Sequence, residues 1–144
     1  MTDSPTPAAA SAQPDPVPFD PKAFPADLIA AQRTVAELFA ALHAHQATLP
    51  WSREPHPGWT EETERGREQR GRPASPGWSE EDAAEYDRLF AALREATAVL
   101  QTHPWWGTCR ANGVEGTDMV AVRQALKIAE GAVPLRQDDV QQTA

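Results

Sequence analysis

His43, His45, His56, His103 and Cys109 are the side chains of this 144-residue chain best suited to hold a soft metal ion or to act as base or nucleophile. Their spacing argues against a metal. His43 and His45 stand two apart, and on a helix that separation sends them to different faces. No C-x-x-C and no H-E-x-x-H pattern occurs; these are the spacings by which short segments close on zinc. His45 falls on an apolar seam, where a hydrogen-bonded structural histidine is expected. Neither a metal nor a cofactor is expected.

Cys109 lies in "WWGTCRANG" beside Arg110, a neighbour that lowers a thiol pKa. A nucleophile also needs a base and a group to orient that base. His103, six residues away, is the one base nearby, and nothing local completes the set. An incidental thiol in a loop is expected. Glu80, Glu81, Asp82 and Glu85 crowd one helix start, where compensation of the helix dipole accounts for them. No phosphate-binding glycine loop occurs. The residues therefore point away from an enzyme.

Two sets remain. Arg65, Arg67, Arg70 and Arg72 in "RGREQRGR" could meet phosphates as a flexible arm. Glu61, Glu62, Glu64 and Glu68 stand among them, and residues 52–78 sum to zero charge. Five tryptophans in so polar a chain form the second set. Trp51, Trp78, Trp105 and Trp106 suit plugs at the ends of a bundle. Trp59, with Trp51, suits an exposed anchor for a partner.

Long helices must position these residues. Leu28, Ala31, Val35, Leu38, Leu42, His45 and Leu49 step by three and four, with Phe39 widening the stripe. Tyr86, Leu89, Leu93, Ala96 and Leu100 repeat the stepping, with Phe90 alongside. Both segments contain "LFAAL", from duplication or convergence. The pattern predicts helices over 25–49 and 79–103, paired antiparallel, and a shorter one near 117–131 with Met119, Val122, Leu126, Ala129 and Val133 facing in. Pro50 and Pro104 end the first two. Thr117 caps the third, and Gly131 closes it.

The fold expected is all-α: a long antiparallel hairpin completed by a short third helix, a helical bundle over residues 24–134. Its connector, 50–78, is long for a loop. "PGWTEE" at 57–62 returns as "PGWSEE" at 76–81. Each reads as a helix start: a turn, a tryptophan, a hydroxyl cap and two acids at the positive end of the dipole. After Ser79 an amphipathic helix follows; after Thr60 no apolar face does, so one or two frayed turns are expected there.

Seven of the 14 prolines precede residue 26, and residues 1–23 offer little to bury. A disordered tail is expected there, and a flexible one over 135–144. The other reading makes "VPFDPKAFP" a docking peptide anchored by Phe19 and Phe24. Net charge is −8, which disfavours general nucleic-acid binding. No apolar run is long enough for a membrane span, and no secretory pattern opens the chain, so the cytoplasm is the default compartment.

The function expected is a non-enzymatic protein-interaction module: an adaptor, regulator or accessory factor. Its partner would be another protein, with a second copy of the chain as a further one, since the short apolar list leaves a single bundle marginal. The alternative is a nucleic-acid-associated regulator that uses the Arg65–Arg72 arm. The contact residues expected are Trp51, Trp59, Arg65, Arg67, Arg70 and Arg72.

Overall fold

The structure, a computed structural model, describes residues 17–134. Helix α1, Ala26–Ala47, starts where Pro25 holds an extended backbone, a proline at the boundary costing no helical hydrogen bond. Thr48 ends it, its hydroxyl donating to the carbonyl of His45 at 2.7 Å. Helix α2 is Glu80–Gln101. Ser79 caps it as its sequence predicts: the hydroxyl oxygen accepts from the Asp82 N–H at 3.1 Å. Glu80, Glu81 and Asp82 occupy the first turn, against the positive end of the helix dipole.

The two helices run antiparallel. At one end, His45 Nε2 lies 3.0 Å from the carbonyl oxygen of Asp82. At the other, His103 Nε2 faces Asp27 Oδ1 at 3.1 Å. Leu28 and Leu42 of α1 and Leu89 and Leu100 of α2 are buried between them. Phe39 and Phe90, the aromatic residues of the two "LFAAL" words, are exposed instead. The apolar stripe is thus narrower than the sequence suggests.

Two further helices complete the order. Pro104 does not merely end α2; it is the first residue of α3, Pro104–Ala111, where its missing N–H is harmless. His103 caps α3, Nδ1 accepting from the Trp105 N–H at 3.0 Å. Cys109 is therefore on a helix, not in a loop. Helix α4 spans Thr117–Lys127, shorter than expected. Its cap is Gly116 at φ 61°, and no side chain bonds the first turn, so Thr117 does not cap as predicted.

The principal core gathers where α1 begins and α2 ends. Leu28, Leu100, Trp106, Cys109, Met119, Val122 and Leu126 form it. Trp106 is buried, and its indole N–H donates to the Leu100 carbonyl at 2.8 Å, so its one polar group is satisfied. Phe19 and Phe24 pack against this core. Phe19 lies 5.4 Å from the Trp105 ring, and Trp105 donates to the Pro21 carbonyl at 3.1 Å. The "VPFDPKAFP" phenylalanines are thus engaged by their own chain. The expected disordered tail over 1–23 falls outside the described residues for 1–16, and within 17–23 Phe19 and Pro21 make these contacts. The expected flexible tail, 135–144, also lies outside the described residues.

The all-α expectation is corrected in the connector. Strands β1, Glu62–Glu64, and β2, Arg67–Gln69, pair antiparallel with Glu62 opposite Gln69 and Glu64 opposite Arg67. The chain is mostly helical with this small two-stranded sheet. Thr60 starts no helix: residues 61–72 have no apolar face to bury, so the local helix signal finds no tertiary support. Arg65 and Gly66 take φ 53° and 77° between the strands, the left-handed pair that a two-residue hairpin turn requires.

Candidate functional site

The connector is one ribbon, built from its base outward. At the base, Trp78 donates its backbone N–H to the Arg53 carbonyl at 2.9 Å and its indole N–H to the Pro50 carbonyl at 2.8 Å. Ser75, buried, donates to the Ser52 carbonyl at 3.0 Å. Arg53 reaches α2 and gives Asp87 two bonds, each 2.8 Å. This bidentate pair holds the Asp87 carboxyl below its usual range and the Arg53 guanidinium above its own.

Above the base, His56 pairs with Ser75 and Trp59 with Arg72, each pair exchanging both backbone hydrogen bonds at 2.8–2.9 Å. From 56 to 59 to 62 on one strand, and from 75 to 72 to 69 on the other, the steps match. Register is therefore kept from base to tip although the ladder is interrupted. Strict alternation would put His56 and Trp59 on opposite faces. Gly58, at φ 74°, turns the backbone between them, and their rings lie 5.9 Å apart. A Cβ on Gly58 would stand 2.3 Å from the Arg72 carbonyl oxygen, and one on Gly71 2.7 Å from the Glu61 nitrogen. Glycine is what lets the strands close at both places.

Five prolines in and around the ribbon, at 50, 55, 57, 73 and 76, remove ladder donors. Indole N–H groups take their place. Trp51 donates to the Pro73 carbonyl at 2.8 Å, Trp59 to the Arg70 carbonyl at 2.9 Å, and Trp78 to that of Pro50. Each tryptophan so placed is fixed at its polar edge by backbone from the other side of the connector.

The structure brings Trp51 and Trp59 together, edge to face at 5.5 Å. His56 joins them, 5.0 Å from Trp51. Arg72 also joins, its guanidinium carbon 5.1 Å from the Trp51 ring centre. Trp59 remains 47% exposed, whereas Trp51, Trp78 and Trp105 are half-buried and Trp106 is buried. His56 was not singled out by its sequence as a contact residue; its position three before Trp59 carried no signal in a stretch read as irregular.

The four arginines are not gathered. Arg65 is at the turn, Arg67 lies opposite Glu64, and Arg72 is stacked on Trp51. The shared register places Arg70 opposite Glu61. Acids and bases alternate across the strands, as cross-strand pairs favour, and no single basic face results.

Cys109 is fully buried, and burial pushes its thiol up against the lowering pull of Arg110 and Arg123. His103 is engaged by the Trp105 N–H and faces Asp27. Among the described residues, no group of three or more His, Cys, Asp or Glu could hold a metal ion. No described helix is long and apolar enough to cross a membrane.

A family described as a domain of unknown function, DUF8825, matches residues 27–129, and the chain belongs to it. The match runs from the first turn of α1 through the whole ribbon to just beyond α4. No curated protein matches the chain at a significant level, and neither does any solved structure.

Proposed function

We propose that this protein is a non-enzymatic interaction module, an adaptor, regulator or accessory factor, that binds another protein through the ribbon of residues 51–78. The observation that carries this reading is Trp59. It is a large aromatic side chain, 47% exposed, yet held by an indole hydrogen bond and by the edge of Trp51. A rigid exposed tryptophan loses little freedom on binding and offers a large apolar area, the profile of an interface anchor. Arg72 and His56 flank it and supply polar contacts at its rim. Residues 60–70 project beyond it, wholly exposed, with both signs of charge. That mixture suits a protein surface better than a phosphate backbone, which rewards one sign.

Self-association belongs to the same reading, since Phe39 and Phe90 sit exposed on the two hairpin helices where a second copy would cover them. Light scattering at micromolar concentration that shows monomer alone removes that part. A single buried thiol fits the cytoplasm as its place of work.

The test is parallel affinity capture from the host lysate with wild-type and Trp59→Ala baits of equal fold by circular dichroism. The reading expects a protein retained by the first and lost from the second, since an anchor is worth about 2 kcal/mol or more. Identical captured sets refute it. A captured nucleic acid, released by salt and lost when the four arginines become alanine, would favour the phosphate-binding arm instead.

A further inference from the structure

We infer that Asn112 is a site of self-modification: its amide is lost through a cyclic imide formed with Gly113, and the acid left behind unlocks the end of α3. Asn112 is the chain's one asparagine, and a glycine follows it. Asparagine amides are heat-labile. Glycine is the neighbour that leaves the attack open, having no side chain beside its nitrogen. Both residues are exposed. In the step, the Gly113 nitrogen gives its proton to hydroxide and attacks Asn112 Cγ. An N–C bond forms, the Cγ–Nδ2 bond breaks, and Nδ2 takes a proton from water and leaves as ammonia. Water then opens the imide. Addition at Cγ gives aspartate; addition at the Asn112 backbone carbonyl gives isoaspartate, whose chain runs on through Cβ and Cγ. Water is the one co-reactant, and nothing is oxidised or reduced.

The end of α3 governs the step. Asn112 is its C-terminal cap, at φ −100° and ψ 16°. At that ψ the Gly113 nitrogen nearly eclipses the Asn112 nitrogen, so it is turned away from the side-chain carbon it must reach. Both reacting groups are also engaged. Gly113 N–H donates to the Arg110 carbonyl at 3.0 Å, and Asn112 Nδ2 to the Thr108 carbonyl at 2.9 Å. Val114 N–H donates to the Cys109 carbonyl at 3.0 Å. With Gly113 at φ 86°, these bonds close α3 in a Schellman motif and set Val114 against the principal core. The imide therefore forms only when this turn opens, which helix ends do more readily than the whole fold. The products do not fit back. Aspartate puts a negative charge at the negative end of the helix dipole and loses the donor to Thr108. Isoaspartate lengthens the backbone by one carbon inside the turn. Val114 then cannot keep both its bond to Cys109 and its place on the cluster that buries Cys109.

The test ages the full chain in warm, mildly alkaline buffer, with and without denaturing urea, and maps its peptides by mass spectrometry. An amide exchanged for an acid should appear at Asn112, as both aspartate and isoaspartate. The rate in buffer should be roughly tenfold or more below the rate in urea, because the closed turn withholds both groups. Asn112→Gln, whose imide would need a larger ring, should stay unmodified at that position over the same time. The isoaspartate form, separated from the fresh chain, should melt several degrees lower. Its Cys109 should be alkylated several-fold faster than in the fresh chain. Asn112→Asp, which carries the charge without the extra carbon, should fall between the two. No modification of Asn112 in urea overturns the inference, as do equal rates in buffer and urea. An isoaspartate form that melts with the fresh chain and shields Cys109 equally also overturns it, by showing that the turn locks nothing.

Discussion

Trp78 and Pro50 are 28 residues apart in sequence, and the Trp78 indole N–H donates to the Pro50 carbonyl at 2.8 Å. That bond closes the mouth of the ribbon where α1 ends and α2 begins. The same ring lies 5.0 Å from Tyr86 and beneath the Arg53 guanidinium. One side chain thus joins the connector to the helical hairpin. Trp78→Ala should cost about 2–3 kcal/mol for a half-buried ring of this size. Trp78→Phe should cost about 1 kcal/mol, the carbonyl partner alone being lost. Urea denaturation of the two variants checks both the sum and the order.

Glycines of the ribbon and of α3 should answer an added methyl in opposite ways. Gly58→Ala places a Cβ on the Arg72 carbonyl and strains a positive φ; Gly71→Ala drives one into Glu61. Each should destabilise by about 2 kcal/mol or more, as the strands part. Gly107 sits inside α3 with open space around it. Gly107→Ala should stabilise by roughly 0.5–1 kcal/mol through helix propensity. Thermal melts of the three variants are sufficient.

The Arg53–Asp87 pair should leave a pH signature. Arg53 holds the Asp87 carboxyl below its usual value. A depressed carboxylate adds stability that is fully present above its unfolded pKa, about 3.9, and is lost as pH falls through the lower folded value. The wild type should therefore exceed Asp87→Asn by a constant small margin from neutral pH down to about pH 5. The margin should close below about pH 4. Both partners are largely exposed, so added salt should shrink it as well. A margin that grows on acidification would show the pair to be misassigned.

Much of the helical frame was legible and the ribbon was not. The three-four stepping of Leu28, Leu42, Leu89 and Leu100 placed α1 and α2 to within a few residues, because burial on one face leaves a period in the sequence. Strands β1 and β2 bury nothing on either face, so no alternation marks them. Their signal was confined to Arg65-Gly66, a pair weaker as a turn motif than Asn-Gly. Helix α3 escaped because a proline that stops one helix is also the best first residue of the next. Trp51 and Trp59 were legible as candidates from residue type. Their pairing with His56 and Arg72 was not, since it depends on a glycine kink and on cross-strand register that no local pattern encodes.

Cys109 should be silent in the native state. It is fully buried, with its thiol pushed up by that burial. Alkylation by iodoacetamide near pH 8 should run far below the rate of free cysteine and should rise in step with global unfolding in urea. Mass spectrometry of timed samples reads the rate directly. Fast labelling in water would place the thiol at the surface and dissolve the core drawn around it.

Every contact surface proposed for the ribbon depends on its register, and amide hydrogen exchange tests that register most directly. Trp59 and Arg72 exchange both backbone bonds, at 2.9 and 2.8 Å. Their amides should be protected together and to a like degree, well beyond those of Arg65 and Gly66 at the turn. If Trp59 and Arg72 instead exchange as fast as an unstructured peptide, residues 51–78 are a loose loop, and Trp59 is not held as an anchor.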